Sequence, residues 1–344
     1  MAGSEALKAC ITELYRNSTV TITDLPTVTR SFSRLLVNDL YNFSLRLNVS
    51  ISTLYVHVGE LMRFPSWSPG LENIRKIRDT ILGEQPDIVI VTSPWVFKSV
   101  GRALKGTQIP LYCVVLDFGK YLPSGWVCNE ANRCIVPTDN AMVQLIENGM
   151  DRSILKKVGI VVHPRFLKGR RKGYEKGRVL VLAGREGYSN SYHVVKSLLE
   201  SQRIVRIDVL CGRNKSLRRR VQSIPDTRIH TYGFVDDILP FYGACQIVIS
   251  KAGSFTVAEC IALEKPLLVD ATHGIMRQEI GNALLVRDEQ IGMVIDDVHE
   301  IVEQAELLID HSEVYASILE NIRNAKGMLD PYGVVREILE EGRA

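Results

Sequence analysis

QIVISKAGSFTVAECIALEKPLLVD, residues 246–270, decides how the chain reads. Ile247-Val248-Ile249 has the continuous apolar character of a strand buried on both faces, and Ser250-Lys251-Ala252-Gly253 then turns the chain. The spacing predicts a helix beginning near Ser254, with Val257, Ala258, Ile261 and Ala262 on its apolar face. Glu264-Lys265-Pro266 closes that helix before a second strand over Leu267 to Val269. The loop brings Gly253 and the hydroxyls of Ser254 and Thr256 to a helix N-terminus, where open N–H groups and the helix dipole favour an anion such as phosphate. Glu259, on the first turns, is placed to reach a polyol such as ribose beside it. The same pattern also suits a strand-turn-helix unit that binds nothing, so its neighbours decide.

Those neighbours repeat the design. Arg178 to Leu182 reads as a strand followed by Ala183-Gly184-Arg185-Glu186-Gly187; Ile204 to Leu210 is followed by Cys211-Gly212-Arg213-Asn214; Arg228 to Tyr232 is followed by Gly233-Phe234-Val235. Helices are predicted over Ser216 to Gln222 and Ile238 to Tyr242, so strands and helices alternate as in a parallel sheet covered on both faces. Ligands of such sheets bind beyond the carboxyl ends of the strands. Four polar, glycine-bearing loops at those ends point to a nucleotide site far more strongly than any one of them. Arg218-Arg219-Arg220 reads as a solvated helix face rather than a nucleic-acid site.

Upstream, Lys168 to Arg178 (KGRRKGYEKGR) is charged and glycine-punctuated, which makes it a linker between two α/β domains. Before it, helix Leu71 to Leu82, strand Ile88 to Thr92, helix Val100 to Leu104, strand Ile109 to Leu116 ending at Asp117, and strand Arg133 to Val136 are predicted. Asp139 is expected to cap helix Asn140 to Asn148, and a last strand runs over Val158 to Val162 ahead of His163-Pro164. The chain opens with an amphipathic helix over residues 4–16 and a strand over Val20 to Thr23, in the middle of an α/β unit whose first strand is missing. Residues 30–63 interleave aromatic and aliphatic side chains with Arg30, Arg34, Arg46 and Arg63. That mixture suits a membrane-surface segment and equally a helix that packs on a core. Residues 298–344 read as largely helical.

At 344 residues the chain is long enough for two cores, and its net charge of +3 gives no ground for a nucleic-acid partner. Seven scattered cysteines without a CxxC pair predict buried free thiols in a reducing cytoplasm rather than disulfides or zinc. No run approaches the roughly 20 apolar residues that span a bilayer, and no signal peptide is evident.

CGRNKSL (211–217), YGFVDD (232–237), SKAGSFTVAECIALEKPLLV (250–269) and RQEIGNA (277–283) are similar, in order and spacing, to the donor half of monogalactosyldiacylglycerol synthases and processive diacylglycerol glucosyltransferases of glycosyltransferase family 28. LYNFSLRLNVSISTLY (40–55), QPDIVIVTSP (85–94), VVLDFGKYLPSGW (114–126) and CIVPTD (134–139) extend the resemblance into the first half. It implies an α/β fold of two Rossmann-like domains, the GT-B arrangement with an interdomain cleft. Residues 1–165 would form the lipid-acceptor domain, 166–178 the linker, 179–325 the UDP-sugar domain, and 326–344 a C-terminal helix packing back on the first domain. It further implies inverting transfer of a hexose from a UDP-sugar to a membrane-lipid hydroxyl, with no metal, no cofactor and no nucleic acid, in a cytoplasmic protein bound peripherally to the membrane; it leaves the oligomeric state open.

Carried over by residue, the backbone of Gly233, Phe234 and Val235 meets uracil, Glu259 the ribose, and Gly253, Ser254 and Thr256 the diphosphate. Gln278, Glu279 and Asn282 read the sugar hydroxyls, and Gly184, Arg185, Glu186 and Arg213 complete the donor site. Two features depart from the family. The Gly-rich, histidine-bearing loop that opens such enzymes has no counterpart, and a second family histidine is replaced near Leu122-Pro123. Asp117 is then the candidate base, ahead of His57 and His163. A longer natural protein, a reaction run on Asp117 alone, and an inactive nucleotide-sugar-binding relative would each account for this. The first is favoured because removal of an interior strand exposes apolar neighbours and unpaired backbone. An epimerase on the same fold would require further acid and base groups.

Overall fold

Strands and helices do alternate, and in the computed structural model, which describes residues 2–25, 71–169, 173–188 and 190–341, the strands gather into two parallel sheets. They belong to two compact units. One takes the described residues through Pro164 together with those from Met328 onward, and the other spans Arg165–Gly327.

In the first unit β1 (Val89–Val91), β2 (Leu111–Val114), β3 (Arg133–Val136) and β4 (Leu155–Lys157) lie in sequence order, every pair parallel. The twofold alternation of strand side chains divides them between two cores. Leu111, Cys113 and Val115 turn to one face with Phe97, Val100, Trp126 and Leu145; Tyr112, Val114 and Ile135 turn to the other. That second face is closed by Ala6, Leu7, Cys10 and Ile11 of helix Ala2–Leu14 and by Val334, Val335 and Ile338 of helix Pro331–Glu341. The seven cysteines are all buried free thiols.

Three sequence expectations fail here. Val20 to Thr23 is not a strand, because this β-branched run has no partner strand beside it among the described residues. The strand placed at Val158 to Val162 lies instead at Leu155–Lys157, with Lys156 and Lys157 exposed. The more apolar run is buried by the C-terminal segment, with the Ile160 N–H bonded to Met328 O at 2.7 Å and the Asp330 N–H to Ile160 O at 3.2 Å. Helix Asp139–Glu147 is capped by Thr138, whose hydroxyl oxygen accepts the Ala141 N–H, and not by Asp139, which is already helical. Residues 30–63, with His57, lie outside the described residues.

In the second unit β5 (Arg178–Leu182), β6 (Arg206–Leu210), β7 (Ile229–Tyr232), β8 (Ile247–Ser250), β9 (Leu267–Asp270) and β10 (Gly292–Ile295) are ordered β10-β9-β8-β5-β6-β7. The chain starts at the centre with β5, builds outward through β6 and β7, and returns to build the other half, so its direction reverses between β5 and β8. Loops at such a reversal diverge and leave a crevice at the carboxyl ends. The register keeps those ends level, since Leu182 pairs with both Leu210 and Ser250, and Leu210 with Tyr232. The end of the linker is fixed to this sheet: the Gly177 N–H donates to Gln246 Oε1 at 2.8 Å, and Arg178 Nε to the fully buried Asp208 at 2.6 Å.

Candidate functional site

The loop after β5 and the loop after β6 are folded into one another by glycine. Gly212 has φ of +56°, and a Cβ there would stand 2.5 Å from Arg185 O and closer still to Gly184 O. The Arg213 N–H donates to Arg185 O at 2.9 Å. Asn214 Nδ2 donates to Gly187 O at 2.9 Å, while Asn214 Oδ1 caps helix Lys215–Gln222 through the Leu217 N–H. Gly212→Ala would combine the left-handed penalty with a backbone collision. It is expected to cost about 2–5 kcal/mol in denaturant unfolding; an unchanged midpoint would remove this account of the loop pair.

The remaining two loops join this pair. A Cβ on Gly233, after β7, would lie 3.4 Å from Arg218 Nη1 and 3.9 Å from Gly212 O. Phe234 is half exposed, with the Arg213 guanidinium 5.4 Å above its ring, and Val235 is half-buried. Arg185 is exposed, and Glu186 stands 3.9 Å from Arg213 Nη1. After β8, Lys251-Ala252-Gly253 leads into helix Ser254–Leu263, whose N-cap is Gly253 and whose first turn receives no side-chain cap. The opening N–H groups of that helix therefore have no side-chain acceptor, and Thr256 Oγ1 lies beside the loop, 3.8 Å from the position of a Cβ on Gly253.

Lys251 belongs to this site although the sequence reading passed over it. Its Cε would be 3.7 Å from a Cβ on Gly184, and its Nζ 3.9 Å from one on Gly253, so the ammonium spans the two loops at the sheet's reversal. It forms an ion pair with Glu279, a residue only 7% exposed. Around that pair Tyr188, Asp270 and Met276 enclose a space of about 10 Å³, close to the least volume that holds one water. Among the described residues the Tyr188 hydroxyl has no hydrogen-bond partner; burial, then the Asp270 and Glu279 carboxylates, push its phenol above the ordinary range. Asp270 in turn accepts from Asn190 Nδ2 at 2.7 Å and from Thr272 Oγ1 at 2.6 Å.

Two residues expected to read sugar hydroxyls are engaged otherwise. Asn282 is fully buried and gives its amide to Ala252 O at 2.9 Å, so it holds the loop instead of facing a ligand. Glu279 is taken by Lys251. Gln278, half-buried, makes a weak contact from Nε2 to Met276 Sδ at 3.6 Å.

Glu259 accepts from the hydroxyl of the fully buried Tyr242 at 2.8 Å. Burial raises its carboxyl to about 7, against smaller lowering effects from that bond and from Arg165. The folded state therefore holds a proton that the unfolded chain releases near 4.5. The stability this contributes is complete below about 4.5 and is lost as pH rises through about 7. Melting temperature is expected to fall across that window in the parent chain and to fall less in Glu259→Gln.

Asp117 lies in the other unit, three residues beyond β2. The loop that follows it is strained: Gly119, Lys120 and Tyr121 have φ of +99°, +52° and +74° in succession. Left-handed side chains cost about 1–2 kcal/mol each and persist where the surroundings impose them. Gly119 lies against the Ala141 backbone, the Thr138 hydroxyl donates to Phe118 O at 2.6 Å, and the Leu122 N–H donates to Gln144 Oε1 at 2.5 Å. His163 is half-buried beyond β4.

Comparison with known proteins adds to this geometry. Residues 1–162 match the family model for monogalactosyldiacylglycerol (MGDG) synthase, and residues 179–326 match that for the glycosyltransferase family 28 C-terminal domain. Similar proteins include the processive diacylglycerol beta-glucosyltransferases of Bacillus pumilus, 27% identical over 78% of this chain and 72% of that protein, and of Bacillus subtilis, 25% identical over the same shares. Among solved structures, Acinetobacter baumannii MurG superposes with a TM-score of 0.61 at 13% identity, covering 79% of this chain and 78% of that one. Staphylococcus aureus MnaA in complex with UDP does so with 0.58 at 18%, covering 79% and 78%. Those two likenesses establish the shared fold.

Proposed function

Because the chain belongs to glycosyltransferase family 28, with a first half of the monogalactosyldiacylglycerol synthase type, we propose that it moves a hexose from a UDP-sugar to the hydroxyl of a membrane lipid of the diacylglycerol kind, with inversion at the sugar. The observation that carries this reading is the meeting of four loops around an uncapped helix N-terminus with Lys251 beside it. A diphosphate placed there is met by open N–H groups and an ammonium, and Glu259 stands one turn further along for the ribose.

The chemistry follows from where charge develops. The lipid oxygen attacks the anomeric carbon and loses its proton to Asp117, while the bond to the diphosphate breaks and its electron pair stays on the departing phosphate oxygen. The helix N-terminus and Lys251 take up that charge in place. Lys251 has to leave Glu279 to do so, which frees a carboxylate for a sugar hydroxyl. The product names of the similar proteins support a lipid acceptor. No helix among the described residues is long and apolar enough to cross a membrane, which fits an enzyme that works at the membrane surface.

The test is transfer itself. With radiolabelled UDP-glucose or UDP-galactose and diacylglycerol in mixed micelles, label is expected in the organic phase. Saturable UDP binding without label in any lipid extract would assign the chain as a binding protein, and conversion of the free UDP-sugar to its epimer would assign it as an epimerase.

A further inference from the structure

One strongly charged surface of the second unit begins at the edge of the site, where Arg218 reaches Gly233, and extends beyond it. Residues 185–222 carry nine Lys or Arg against three Asp or Glu, six net positive charges in a chain whose total is only +3. The concentration is sharpest at 213–220, RNKSLRRR, with five basic residues and no acidic one. In helix Lys215–Gln222, Leu217 and Val221 face the core, which turns Lys215, Arg218 and Arg219, spaced i, i+3 and i+4, to one exposed face. Among the described residues none of these three has an acidic partner, whereas Arg178, Arg206 and Arg228 nearby all do.

Local stability explains only part of the arrangement. Like charges at this spacing repel by a few tenths of a kcal/mol per pair. The helix dipole accounts for Arg219, in the last turn, but not for Lys215, the first residue after the Asn214 cap. Arg220, on another side, is accounted for by the Tyr192 ring 4.3 Å away. The face continues through Arg218, at Gly233, to the exposed ring of Phe234 beneath the Arg213 guanidinium. Cations flanking one exposed aromatic ring suit the boundary between lipid headgroups and acyl chains. The patch offers no row of aromatic rings on which nucleic-acid bases would stack.

We propose that the Lys215, Arg218 and Arg219 face, with Phe234 at its edge, docks the second unit on an anionic lipid surface. Attraction comes from phosphate headgroups, each basic side chain near such a surface strengthening binding by about fivefold. The assignment concerns lipid charge and holds for any acceptor lipid.

Co-sedimentation of the full chain with phosphatidylcholine vesicles, with and without phosphatidylglycerol, tests it. Binding is expected only where the anionic lipid is present and is expected to weaken as salt is raised. The double variant Lys215→Gln with Arg219→Gln should bind about 25-fold more weakly, while its melting-temperature response to UDP is retained, which separates this surface from the donor site. Arg219→Lys should bind like the parent. If the double variant does not fold, Lys215→Gln alone should still lose about fivefold. Equal binding to neutral vesicles, undiminished binding by the glutamine variants, or preference for duplex DNA over the vesicles would each overturn the proposal.

Discussion

Asp117→Asn is expected to leave UDP binding intact and to lower the rate of sugar transfer to lipid by about 10²- to 10⁴-fold, the usual contribution of a positioned general base. The two side chains have nearly the same shape, so packing should survive while the proton acceptor is lost. The site lies at the carboxyl end of β2, where a strained turn of consecutive left-handed residues holds the backbone. Initial rates at saturating donor and lipid, alongside a UDP titration, make the measurement. Transfer within threefold of the parent would move the base elsewhere, His163 being the next group to replace.

Above pH 7, where its carboxyl is ionised, Glu259→Ala is expected to weaken UDP by about 30- to 150-fold, the loss of roughly 2–3 kcal/mol when hydrogen bonds to a charged group are removed. The rise in melting temperature on adding UDP should largely disappear. Because Tyr242 holds the carboxylate at 2.8 Å, Tyr242→Phe provides a graded control. It keeps the acid, loosens its aim, and should reduce affinity by less. Calorimetric titration of UDP into the three proteins makes the comparison. An unaltered affinity in the alanine variant would remove Glu259 from the donor site and with it the reading of the helix it belongs to.

Much of the second unit is legible in the chain because its strands are buried on both faces and carry unbroken apolar runs between glycine-bearing loops; Ile247–Ser250 and helix Ser254–Leu263 fall where their residues place them. The errors share one cause: a local pattern does not name its partner. Val158 to Val162 has the composition of a strand, but its backbone is met by Met328 and Asp330, far away in sequence, while the less apolar Leu155–Lys157 takes the sheet edge. Local pattern is equally silent on the bond from Asn282 to Ala252 O and on the pairing of Glu279 with Lys251. Lys251 was readable in principle, as a cation two residues before a helix N-terminal glycine. The pairing that reveals its reach between Gly184 and Gly253 exists only in three dimensions.

Helix Pro331–Glu341 supplies Val334, Val335 and Ile338 to a face begun by Ala6, Leu7 and Cys10. During synthesis on the ribosome the half of the protein made first is therefore the last to be completed. Until helix Pro331–Glu341 emerges, Tyr112, Val114 and Ile135 have only the part of their cover that helix Ala2–Leu14 supplies, while Arg165–Gly327 already has all its strands. The nascent chain leaves the rest of that apolar surface open for the whole time the later unit is being translated. A premature stop anywhere beyond residue 327 would strike the earlier-made unit and spare the later one.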